Sequence, residues 1–163
     1  MPPLSSAVTH RKMVTERLFF RIGSSVSHHL TVTPLYRPHE NSQDYWDGNW
    51  LESKIDIRVG GFSGHLRASL RADEFQRFKD QLAKLYTELK GTAKFTALEH
   101  WLTIQVKGDG LGHFEAECQA MDKAGTGNLL EFRLAFDQTD IPAIVKGLEQ
   151  ILRAFPVREN AEV

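Results

Sequence analysis

Apolar and polar residues alternate one for one along several stretches of this chain, a period that only strands with one buried face satisfy. Leu51, Ile55, Ile57 and Val59 alternate with Glu52, Lys54, Asp56 and Arg58. Gly60-Gly61 follows and supplies the positive φ angles of a two-residue hairpin turn. Phe62, Leu66, Ala68 and Leu70 then share a face against Ser63, His65, Arg67 and Ser69. The period returns in Leu102, Ile104 and Val106, in Phe114, Ala116, Cys118 and Ala120, and in Leu130, Phe132, Leu134 and Phe136. Shorter strands are expected at 18–22, 29–36 and 93–98, with Pro34 marking the second as an edge or a bulge.

Twice the period changes to 3.6. Phe75, Phe78, Leu82, Leu85, Tyr86 and Leu89 form one stripe of a helix over 72–90. Asp73 and Glu74 suit its N-terminal dipole, and Gly91 is its expected stop. Ile141, Ile144, Val145, Leu148, Ile151, Leu152 and Phe155 make a second stripe, opened near Thr139 or Asp140 with Pro142 in the first turn and closed by Pro156. The predicted fold is α+β: a predominantly antiparallel, curved sheet of about eight strands, whole or in two pieces, with two amphipathic helices in the order ββββαββββα. Both halves run strands then helix, although their residues do not match.

The 163 residues suit one domain, placed at 16–158, with a flexible leader at 1–15, rich in Pro2-Pro3 and Ser5-Ser6, and a short tail at 159–163. Lys plus Arg total 20 and Asp plus Glu 21, which argues against direct nucleic-acid binding. A single cysteine, Cys118, excludes an internal disulfide framework and a multi-cysteine zinc site. No apolar run is long enough to span a bilayer, and the basic residues near the N-terminus follow its weakly apolar part, the reverse of a secretory signal. The expected location is cytoplasmic, with no membrane association.

Several constellations invite a catalytic reading and fall short of it. Gly61-Phe62-Ser63-Gly64-His65 approaches a nucleophile elbow but lacks the final glycine and leads into a strand, where the elbow needs a helix. Ser63 and His65 at i and i+2 leave a small hydrolase as an alternative; a small-ligand-binding α+β domain is another. Gly108-Asp109-Gly110-Leu111-Gly112-His113 is glycine-rich, yet a strand follows it, so it reads as a hairpin loop rather than a phosphate cradle. The seven histidines show no metal-ligand spacing. Cys118 has the apolar parity of its strand, and Glu115 and Glu117 the wet one. No cofactor and no catalytic residue is expected.

The densest unusual feature is Tyr45-Trp46-Asp47-Gly48-Asn49-Trp50, which holds two of the three tryptophans. Tryptophan dominates interface hot spots. Trp46 reads as a contact residue, and Trp50 as an anchor entering the core with Leu51.

The string Asp44-Tyr45-Trp46-Asp47-Gly48-Asn49-Trp50-Leu51, with Val59-Gly60-Gly61-Phe62-Ser63-Gly64, resembles the WapI-type immunity proteins of bacteria. Gly108–His113, Gly125–Asn128 and the segment from Phe136 to Val157 extend the likeness to roughly residues 30–158. The resemblance implies an antitoxin whose partner is the cognate domain of a secreted toxin, a nuclease among the activities such domains carry. It fixes neither the toxin nor an oligomeric state. An acidic surface would be steered toward a basic nuclease cleft, so Trp46, Asp47, Asp44 and Glu40 are the candidate partner-binding residues.

Overall fold

The computed structural model describes residues 18–159; the leader expected at 1–15 and all of the expected tail but Glu159 lie outside them. Eight strands form two separate four-stranded antiparallel sheets, each a simple meander. The first holds β1 (Phe20–Ser25), β2 (His28–Tyr36), β3 (Trp50–Val59) and β4 (Phe62–Arg71). Helix α1 (Ala72–Glu88) leads to the second sheet, β5 (Lys90–Thr96), β6 (Leu102–Asp109), β7 (His113–Met121) and β8 (Leu129–Asp137). A short 3-10 turn (Gln138–Asp140) precedes α2 (Ile141–Ala154). The predicted order and class hold, with the sheet in two pieces.

The alternation works as expected. Along β3, Leu51, Ser53, Ile55 and Ile57 are buried while Lys54 and Arg58 face outward. β3 and β4 pair without a slip from Trp50 opposite Arg71 to Val59 opposite Phe62, and Gly60 turns at φ +62°. β2 lies inside its sheet, so Pro34 is accommodated by a register irregularity before Tyr36. Phe62, given the apolar parity, is 67% exposed because it sits where the hairpin runs past the edge of the core.

Each helix packs against the first strand of the opposite half, α1 along β5 and α2 across β1, and the helices touch each other. Phe20 of β1, Phe75 and Phe78 of α1 and Phe95 of β5 meet with ring centroids 5.4–6.1 Å apart, joining both sheets through α1. Such offset and edge contacts add about 0.5–1.5 kcal/mol per pair beyond area burial. Gly147 allows α2 to lie directly on β1, since a Cβ there would stand 2.5 Å from the Phe19 carbonyl oxygen.

Four local expectations need correction. α1 ends at Leu89, not Gly91: Leu89 takes the left-handed conformation at φ 62°, its N–H bonds the Leu85 carbonyl, and its own carbonyl accepts Gly110 N–H from the β6–β7 turn. That long-range bond starts β5 at Lys90 rather than 93. Tyr86 is exposed at the margin of the α1 stripe, and Leu152 is only half-buried on α2.

Candidate partner-binding surface

The loop joining β2 to β3 runs over residues 37–49, and arginines organise it. Arg71 is the last residue of β4 and stands opposite Trp50, on the parity that faces water elsewhere in the sheet. It is nonetheless only 2% exposed, because the loop folds over it. Its Nη1 donates to the Trp46 carbonyl at 2.7 Å, its Nη2 to the Tyr45 carbonyl at 2.7 Å and its Nε to Asp73 Oδ1 at 3.0 Å. The guanidinium carbon lies 5.0 Å from the ring centres of Tyr45 and Trp50 and 5.3 Å from that of Trp46. A planar fork with five donors can serve two carbonyls and a carboxylate while its faces stack on rings; an ammonium cannot. Asp73 also accepts the Tyr45 hydroxyl and Arg77 Nη1, both at 2.9 Å on Oδ2.

A second set of contacts ties the loop to the chain beyond α2. Arg37 donates from Nη1 to the Gly48 carbonyl and from Nη2 to that of Pro156. Arg158 Nη1 donates to the carbonyls of Glu40 (2.7 Å) and Ser42 (2.5 Å). Buried Asn49 donates to the carbonyls of Tyr45 and Arg158 and accepts Arg158 N–H. Burial, then the charge of Arg158, lowers the pKa of Arg37. Gly48 packs so closely that a Cβ would stand 2.5 Å from the Asp44 carbonyl oxygen and 2.6 Å from that of Ser42. The Asp44 carboxylate accepts Asp47 N–H at 2.7 Å and the Ser42 hydroxyl at 2.9 Å. These bonds, the Asp47 amide foremost, hold its pKa below the ordinary value.

The structure thus gathers Trp46, Asp47, Asp44 and Glu40 in one loop, all exposed, with Trp46 at 62%. Their roles differ. Trp46 and Asp47 project from the loop, Asp44 is an internal brace, and Glu40 is held through its backbone. Trp50 is a correction: it lies on the opposite side of β3 from Leu51, half-buried against the Arg71 guanidinium, and so braces the loop from outside the core.

Sequence reasoning missed Arg71, Arg37 and Arg158, gave Asn49 no role of its own, and placed Asp73 and Glu74 only as dipole partners. Glu74 is buried and its two oxygens serve two segments: Oε1 accepts Arg71 N–H at 2.8 Å and Oε2 accepts Leu98 N–H at 2.7 Å. Burial pushes its pKa up to about 7 despite those two donors. It ties the β5–β6 turn, residues 97–101, to the start of α1 beside the loop.

The rival sites resolve otherwise. His65 Nδ1 lies 2.7 Å from Asp56 Oδ1 on the wet face of the first sheet, but Ser63 forms no hydrogen bond to it among the described residues. In the β6–β7 turn, Asp109 Oδ1 accepts the N–H groups of Leu111 (2.7 Å) and His113 (3.1 Å), filling the nest a phosphate would need. Cys118 is buried, and desolvation raises its thiol to about 12. Among the described residues no cluster of three or more His, Cys, Asp or Glu could hold a metal ion, and no helix is long and apolar enough to cross a membrane.

A family model described as the immunity protein WapI-like family matches residues 21–156. No curated protein matches. Among solved structures, a chain from crystal structures of Trypanosoma bruciei MRP1/MRP2 superposes with a TM-score of 0.52 at 12% identity, covering 94% of this chain and 96% of that one. At that identity the likeness is one of fold.

Proposed function

The chain belongs to the WapI-like immunity protein family, and from that premise we propose that it neutralises a cognate toxin domain by binding it through the 37–49 loop. The family match carries the reading, and the loop's construction supports it. Hot-spot residues act best when they need no ordering on binding, and Trp46 is held by its own carbonyl and by its ring on a buried guanidinium. Asp47 beside it offers a carboxylate to an Arg or Lys of the partner. A nuclease cleft, lined with the cations that hold phosphates, is the toxin surface this pairing suits best. The mode is occlusion rather than catalysis, over a standard interface of about 1,600 Å².

The test pairs binding with protection. Trp46→Ala should weaken toxin binding by about 2 kcal/mol or more and reduce rescue of cells expressing the toxin domain, while folding stability falls by no more than about 1 kcal/mol, the worth of one exposed cation–π contact. Full affinity and full rescue in that variant would remove the loop from the interface.

A further inference from the structure

The loop is not alone at its end of the molecule. The β5–β6 turn is brought beside it by Glu74, which bonds Leu98 N–H with one oxygen and Arg71 N–H with the other. Arg71 in turn holds the carbonyls of Tyr45 and Trp46. The turn carries bonds of its own. Ala97 is buried, His100 N–H bonds the Ala97 carbonyl at 3.1 Å, His100 sits at φ 62°, and Trp101 Nε1 donates to Glu99 Oε2 at 3.2 Å. At its tip Leu98 is 56% exposed, with Glu99 beside it in solvent.

Charge gives this end a direction. Arg37, Arg71 and Arg158 keep their charge but direct donors to backbone carbonyls, and Arg77, itself exposed, pairs with Asp73. Glu40, Asp44, Asp47 and Glu99 are all exposed. Trp46 and Leu98, both large, apolar and exposed, thus stand on two segments that Glu74 and Arg71 tie together, each with an exposed carboxylate next to it in sequence, Asp47 and Glu99.

We infer that the 97–101 turn is the second half of the contact surface, and that its occupant is a cationic face of the toxin domain with an apolar centre that receives Leu98 and Trp46 together. This rests on the reading of the family and of the 37–49 loop given above. The opposite end of the first sheet supplies the control: Val26, 90% exposed, is on the β1–β2 turn and Phe62, 67% exposed, opens β4 after the adjacent β3–β4 turn, where Gly60 N–H bonds the Ser27 carbonyl.

The experiment titrates the full chain with the purified toxin domain against which it protects cells in the rescue assay, at low and high salt, for Trp46→Ala, Leu98→Asp, Glu99→Lys and Val26→Ser/Phe62→Ser. Each variant's unfolding midpoint is measured alongside. Leu98→Asp and Glu99→Lys should each weaken binding at least tenfold, the Glu99→Lys loss shrinking as salt rises, and the Val26/Phe62 variant should bind as the parent does. If Trp46→Ala weakens binding but Leu98→Asp and Glu99→Lys stay within twofold, the turn lies outside the interface and the loop reading survives alone. If Trp46→Ala has no effect, the loop reading falls and the joint surface with it. Loss confined to the Val26/Phe62 variant moves the interface to the other end and overturns both.

Discussion

Arg71→Lys keeps a positive charge at the end of β4 and removes the plane on which the loop is assembled. The guanidinium reaches the Tyr45 carbonyl, the Trp46 carbonyl and Asp73 at once while facing three rings. A tetrahedral ammonium on a longer stem reaches one or two of these. Each hydrogen bond to a charged group is worth about 1.5–3 kcal/mol net, and a desolvated cation–π contact up to about 2 kcal/mol. Part of the loss is recovered as the freed carbonyls hydrate, so the expected cost is about 2–4 kcal/mol. Arg71→Ala should cost about 3–5 kcal/mol, the range for breaking a buried ion pair by removing one partner. Against a total stability of about 5–15 kcal/mol either change is large. Urea unfolding followed by tryptophan fluorescence gives the number, and near-UV circular dichroism reports the packing of the Tyr45, Trp46 and Trp50 rings. Because Arg71 is buried, the cost should be nearly the same in 0.15 M and 1 M salt, where a surface pair would be screened. A lysine variant within about 0.5 kcal/mol of the parent, with an unchanged near-UV spectrum, would refute the idea that this side chain organises the loop.

Gly147→Ala separates two effects of opposite sign. Helix propensity alone predicts a gain of about 0.5–1 kcal/mol, but a Cβ 2.5 Å from the Phe19 carbonyl oxygen overpacks against backbone at about 1–3 kcal/mol, so the variant should unfold at a lower temperature than the parent, and a raised midpoint would contradict the close packing of α2 on β1. Glu74 gives a pH signature: its folded pKa of about 7 lies above the ordinary 4.5, so its contribution is complete below pH 4.5 and lost as pH rises through 7. The size is roughly 3 kcal/mol between those limits. Urea unfolding across that window should show a steeper fall in the parent than in Glu74→Gln, and identical slopes would contradict it. Leu82→Ala and Leu148→Ala, both at 0% exposure, should each cost about 2–5 kcal/mol by urea unfolding.

What could be read from the sequence were properties that repeat along it. The alternation from Leu51 to Val59 and the stripe from Phe75 to Leu85 report a burial pattern set by local geometry, and both elements form as they predict. Trp50 was legible too, since it shares the parity of Glu52 rather than that of Leu51, and only its size suggested a place in the core. Arg71 was not legible. Its parity marks it as solvated, and its burial depends on Tyr45 and Trp46, some 25 residues away. The same holds for the tie between Leu98 and Arg71, which one carboxylate on α1 makes across the chain. Leu89 shows the limit at an element boundary: Gly91 is the better local stop, but a bond from Gly110 sets the end of the helix.

The exchange of helices between the halves bears on how the molecule comes apart. A break between α1 and β5 would leave the second sheet without the helix that lies along its first strand, and the first sheet without α2. The aromatic group of Phe20, Phe75, Phe78 and Phe95 would be divided with them. Neither sheet can shed its cover without exposing the other's, so local opening is penalised twice. An inhibitor must already be whole when its toxin arrives. Two halves locked in this way favour a population of intact molecules over a spread of partly open, protease-sensitive forms.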